Sequence, residues 1–195
     1  MYIVPEDGVE MATVAVLAAS FSLREDEPNP CNVRIAEEAF RICDELIAAG
    51  HVPILSAQWE VDLALHERRT ADDFQFLPRE VVIDQGVIPY VGSIGQLDDG
   101  QYLGTREVYD EALKLFREHG CTHFVGVAQP FIHQPYLYAM ARKDFKLIWK
   151  RTRKIGFDKE STQWWCRSWW QFALQSVRLA LGLEHGYNGR QEPQS

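Results

Sequence analysis

Apolar positions along this chain follow two periods that take turns. Thr13–Ala19 (TVAVLAA), His51–Ser56 (HVPILS), Val87–Val91 (VIPYV) and Thr122–Ala128 (THFVGVA) are short, nearly unbroken apolar runs rich in β-branched residues, the pattern of strands buried on both faces. Between them the apolar residues return every three or four positions. Ile35, Ala36, Ala39, Phe40, Cys43, Leu46 and Ile47 predict a helix, with Asn32 as its cap and Gly50 as its stop. Thr105 is the expected cap of another, with Val108, Ala112, Leu115 and Phe116 on one face and Gly120 closing it. Trp59–Arg69 and Phe76–Gln85 carry partial helical spacing, and a further helix is expected over about Gln134–Arg142. Phe145–Trp149 reads as a fifth strand and the chain from Thr162 onward as helix. Leu23–Cys31 holds two prolines, and Gly92–Leu103 is glycine-bearing, so both read as loops.

Strand and helix in repeated alternation specify a parallel sheet covered on both faces. The predicted fold is therefore α/β: a three-layer αβα, Rossmann-like, doubly wound arrangement with a mainly parallel sheet of about five strands. Residues 1–12 are read as a leader, 13–186 as a single domain and 187–195 as a frayed tail. The chain of 195 residues is 46% apolar and 25% charged, with 13 glycines and 9 prolines, which excludes disordered and collagen-like classes. No apolar run approaches the length of a bilayer span, and the first ten residues lack a basic n-region, so the expectation is a cytoplasmic protein without a membrane span. Cysteines 31, 43, 121 and 166 show no CxxC spacing and read as reduced, mostly buried thiols.

Ligands of doubly wound sheets sit outside the carboxyl ends of the strands, where the strand order reverses. That rule selects Ser20 and Ser22 after the first strand, with Arg34 in the first turn of the next helix. After the third strand it selects Ser93, Thr105, Arg106 and Glu107, and after the fourth Gln129 and His133. Hydroxyls, guanidinium groups and helix N-termini together suit a small anionic or nucleotide-like ligand. Structural alternatives stand beside each assignment: Ser20 and Ser22 can satisfy loop backbone, Thr105 can be a cap alone, and a lone histidine such as His133 is often a packed one.

Charge adds a second pattern. The net charge is −8, so a uniformly basic nucleic-acid surface is not expected, yet seven of the 20 basic residues fall within Arg142–Lys154 beside a single acid, Asp144. A solvated face or an anionic partner site are the two readings of that segment. Trp164, Trp165, Trp169 and Trp170 begin an aromatic-rich end, Trp164–Leu183, which can pack on the sheet or form a homodimer contact. No GxSxG, HExxH, P-loop or close-spaced GxGxxG motif occurs, and no metal site is expected.

The order of pieces resembles the DUF218 family of bacterial proteins, which includes SanA-like and YdcF-like branches. The resemblance spans roughly residues 13–183 and rests on the apolar first strand, RIAEEAF from Arg34, AAGHVPILSA over Ala48–Ala57, GVIPYV from Gly86, GTREV from Gly104 and FVGVAQPFIHQPY from Phe124. Arg34, Ala36, Ser56, Thr105, Glu107 and His133 match family positions. Ala57 and Gln58 replace the usual glycines, Val108 an asparagine and Tyr136 an arginine, with Arg106 or Arg142 as substitutes for the missing guanidinium. The resemblance implies a Rossmann-like fold and small-ligand binding with no settled reaction. Joined to the residue reading, it leads to a cytoplasmic bacterial protein that binds a small anionic or nucleotide-like molecule, with a nucleotide or S-adenosyl compound as the cofactor class. If group transfer or hydrolysis occurs, Glu107 and His133 are the acid–base candidates, and Ser20, Ser22, Arg34, Ser56, Ser93, Thr105, Arg106 and Gln129 the ligand contacts. The alternative is a non-enzymatic interaction module assembling through its Trp-rich C-terminus.

Overall fold

The computed structural model describes residues 11–24, 29–67, 80–83, 86–94 and 104–180. Its sheet has the order β3-β4-β2-β1-β5-β6, formed by β1 (Thr13–Ala18), β2 (Val52–Gln58), β3 (Glu80–Ile83), β4 (Gly86–Ile94), β5 (His123–Val127) and β6 (Lys146–Leu147). Five strands are parallel and β3 is an antiparallel edge, so the fold is the α/β, Rossmann-like arrangement expected. The chain winds outward from β1 through β2 to β4, then crosses back to β5 and β6. The strand order thus reverses between β1 and β5, the position at which such sheets leave a crevice.

Strand alternation divides the core into two layers. Val14, Val16 and Ala18 of β1, with Val125 and Val127 of β5, face α1 (Pro30–Ala48) and α2 (Trp59–Glu67). Ala15 and Leu17, with Phe124, face α3 (Thr105–Glu118) and α4 (His133–Ala141). Each fully buried Val, Leu, Ile or Phe contributes about 1.5–3 kcal/mol, and the unbroken burial of Val14–Ala19 accounts for the apolar run that marks β1.

Several sequence expectations are corrected. The helix cap is Asn29, not Asn32: the Asn29 side chain accepts from the Cys31 and Asn32 amides, and Pro30 occupies the first helical position, where its missing N–H costs nothing. Arg34, expected in the first turn, therefore lies in the second turn of α1. Gly104, not Thr105, caps α3, so Thr105 is the first helical residue. Within Phe76–Gln85, residues 80–83 are strand and not helix. Their register against β4, Val81 opposite Ile88 and Val82 opposite Val87, is a pairing that a short segment with ambiguous period does not announce. Gly92 and Ser93, expected in a loop, extend β4 to Ile94 through a register shift opposite Leu55–Ala57. The expected helix from Thr162 is a short 3₁₀ turn, Trp164–Cys166, followed by α5 (Trp169–Ala180). Residues 95–103, the rest of the expected loop, and the tail from Tyr187 lie outside the described residues.

Candidate functional site

The carboxyl edge of the sheet has two unlike halves. After β1, Ser22 adopts a left-handed backbone (φ 81°), rare for a side-chain-bearing residue, and its carbonyl accepts from both the Asn29 and Asn32 amides. Its hydroxyl donates to Asp158 Oδ2 at 3.2 Å. Arg24 grips the same carboxylate through Nε at 2.6 Å and Nη2 at 2.5 Å, and also meets Glu160. The bidentate guanidinium holds the Asp158 carboxyl below the usual carboxylate range, although burial acts the other way. Leu23 O accepts from the Thr162 amide and from the Ser161 and Thr162 hydroxyls. Phe21 packs edge-on against Phe157 and Phe172, at centroid separations of 5.8 and 5.2 Å. The segment beyond β6 thus closes over the β1–α1 loop, and Ser22 is occupied as a structural donor. Ser20 is buried too, its amide donating to Gln58 Oε1 at 3.1 Å.

On the other side of the switch point, Ala19 N donates to Val127 O and ties β1 to the end of β5. Gln129 follows at once and is fully buried. Its Oε1 accepts from Phe131 N at 2.9 Å, while its Nε2 has no hydrogen-bond partner among the described residues. A buried donor left unpaired costs about 1–3 kcal/mol. His133, the first residue of α4, places Nε2 2.6 Å from Thr105 Oγ1, so the N-terminal residues of α3 and α4 are joined. Burial pushes the His133 imidazole down to about 4, which leaves it uncharged at neutral pH. With its proton on Nδ1, Nε2 accepts from the Thr105 hydroxyl.

The remaining candidates are dispersed. Arg34 is exposed on α1, across the sheet from α3 and α4, with its guanidinium beside Gly156, where an added Cβ would stand 3.4 Å from Nη1. The structure therefore unites Thr105 with His133 and does not bring Arg34 to them. Arg106 and Glu107 are exposed in the first turn of α3. The Glu107 carboxylate folds back over Gly104, 2.8 Å from where a Cβ would lie, so a glycine suits that position. Ser56 is wholly buried within β2, opposite Leu17. Ser93 lies in β4 in register with Ala57 of β2. Sequence reasoning missed Gln58, the residue that reaches the β1 edge; its position at the end of an apolar run was the available signal.

Comparison with family models, curated proteins and solved structures returns no match for this chain. The DUF218 resemblance therefore stands on the motifs quoted above alone.

Other chemistries find less support. The thiols of Cys43 and Cys166 are raised by burial and that of Cys121 is pushed up to about 12, so none of the three is a thiolate nucleophile at neutral pH. Among the described residues no three His, Cys, Asp or Glu side chains gather as metal ligands. No described helix is long and apolar enough to cross a membrane.

Proposed function

We propose that this protein binds a small anionic or nucleotide-like molecule at the switch point between β1 and β5. The observation that carries the reading is the turn after β5, which holds a buried amide donor without an acceptor among the described residues, Gln129 Nε2, four residues before an uncharged imidazole bonded to Thr105. A ligand oxygen in the crevice supplies the missing acceptor, and the first N–H groups of α3 and α4 add partial positive charge. A neutral imidazole can take the proton of a hydroxyl bonded to it, so Thr105 and His133 form the group-transfer or hydrolytic centre of this reading, with His133 as base. Glu107, exposed nearby in α3, is the second acid–base candidate. The DUF218 resemblance agrees with a small ligand and names no reaction.

Thermal melting tests this directly. Adenosine monophosphate, S-adenosylmethionine and a hexose phosphate form the panel, and a true ligand at a hundredfold excess over its Kd raises the Tm by about 5–10 °C. His133→Gln and Gln129→Met should each remove the shift. No shift across the panel, or a shift that survives both substitutions, contradicts the proposal.

A second reading has its own observation. Trp170, Leu174 and Val177 share one face of α5 and are 55%, 46% and 54% exposed, with Trp169 beside them at 68%. A second copy of the chain is the occupant we propose for this stripe. Sedimentation should then show a dimer that Leu174→Glu converts to monomer, whereas a monomeric wild type removes this reading.

A further inference from the structure

A groove of about 390 Å³ opens beyond the turn after β5, lined by Pro130 and Phe131 on one side and by Arg151, Thr152, Arg153 and Lys154 on the other. We propose that this groove is a separate binding site for a nucleoside polyphosphate, with its phosphates on the three cationic side chains and its base on Phe131.

The backbone that displays the cations is fixed. Gln134 Nε2 lies within 2.8 Å of Gly126 O, Lys150 O and Thr152 Oγ1, and Gln134 Oε1 accepts from Thr152 N. Arg153 N donates to Glu38 Oε2 at 2.7 Å, and Arg41 Nη2 donates to Arg151 O at 3.3 Å. The carboxylates nearby are already engaged. Glu38 receives Arg41 through Nε and Nη2, and Glu45 receives Arg41 and, at 3.0 Å, Lys150 Nζ. Among the described residues, Arg151 and Lys154 have no ion-pair partner, and Arg153 Nε comes only within 3.8 Å of Glu38. These side chains are exposed positive charge on a rigid base, the arrangement that phosphate oxygens recognise at low ordering cost.

Phe131 supplies the second element. It is 61% exposed at the mouth of the groove, and a large aromatic face beside guanidinium groups suits a stacked purine or pyrimidine. Charge distribution favours a free nucleotide over a nucleic-acid strand. Arg142–Lys154 carries seven basic residues and one acid, whereas the rest of the chain has 13 basic and 27 acidic residues. A small ligand meets the basic groove alone, while a long polyanion also meets an acidic surface. The volume lies within the range of small-molecule sites, about 300–1,000 Å³.

Isothermal titration of the full chain tests the proposal with three probes: adenosine triphosphate, inorganic tripolyphosphate and a deoxythymidine oligonucleotide. Both small probes should bind, the nucleotide more tightly. Phe131→Ala should erase the difference between them. The double variant R151E/K154E should weaken both by about tenfold or more, since phosphate contacts to cations are charge-assisted. K143E/K146E, with equal charge change outside the groove, should leave both unchanged. In His133→Gln the component of binding that R151E/K154E removes should remain, which separates the groove from the switch-point crevice. Unchanged circular dichroism shows that each variant is folded. The inference is overturned if neither small probe binds at millimolar concentration, if the two double variants weaken binding equally, if His133→Gln alone abolishes it, or if the oligonucleotide binds more tightly than the nucleotide.

Discussion

The loop after β1 and the turn after β5 leave the same edge of the sheet on neighbouring strands, and their polar groups meet opposite fates. After β1, the Ser22 hydroxyl and Arg24 guanidinium converge on Asp158, the Ser22 carbonyl takes two asparagine amides, and three phenylalanines close the outside. After β5, Gln129 keeps a buried amide without an acceptor among the described residues, and His133 is tied to Thr105. Topology marks both loops as places for a ligand. Hydrogen bonds separate the described parts of the two, because the Ser22 and Arg24 groups matched within the chain have little left to offer, and an orphaned buried donor calls for an explanation. Serine and arginine at a switch point are thus weaker indications of a ligand than one unmatched amide.

The largest expected effect lies on the closed side. Phe21→Ala removes the ring on which Phe157 and Phe172 pack and should cost about 3–5 kcal/mol in urea denaturation. Ligand-induced melting shifts at the crevice should persist in that variant at temperatures where it is folded. If they vanish with the fold intact, the two halves are coupled and the contrast between them fails.

Two glutamines five residues apart sharpen the contrast at intermediate size. Gln134 has its amide matched on both atoms, so Gln134→Met should destabilise by about 2–3 kcal/mol through the partners it strands. Gln129→Met gives up one acceptor for Phe131 N but also removes the unpaired donor, so its stability should stay within about 1 kcal/mol of wild type. Equal losses in the two variants would mean that Gln129 Nε2 is satisfied in solution.

The smallest effect is one of pH. His133 is depressed from 6.5 to about 4 in the folded chain, so between those values the unfolded state binds the extra proton and the native state does not. Stability should therefore fall as pH drops through that window, by about 1–3 kcal/mol from this group. The contribution is absent in His133→Gln, whose unfolding free energy should change less between pH 7 and pH 4. Asp158 acts in a lower range: its carboxyl, held down by Arg24, stabilises above its ordinary value near 3.8 and loses that contribution as pH falls further. Matching profiles for wild type and His133→Gln between pH 7 and pH 4 would show the imidazole to be solvated.

Much of the fold was legible because its signals are local. The runs at Thr13, Val52 and His123 form the three central strands, since a strand buried on both faces must be apolar at consecutive positions. The three-and-four spacing after Ile35 is the buried face of α1. Misreadings fell where the local signal is ambiguous: asparagine stands at both 29 and 32, and Glu80–Ile83 is too short to declare a period before β4 pairs with it. The pair Thr105 and His133 was visible as two candidates on the same edge, although their contact was not.

The sequence alone determined the central strands, the helices α1 and α3 and which loops gather at the carboxyl edge, because burial patterns repeat over a few residues. Only the tertiary structure decided which polar groups in those loops are spent. Ser22 is matched by Asp158, 136 residues away, Arg153 N by Glu38, and Gln129 Nε2 by nothing among the described residues. Hydrogen-bond partners of that separation depend on where two distant backbones come to rest, and no periodicity in the chain records it.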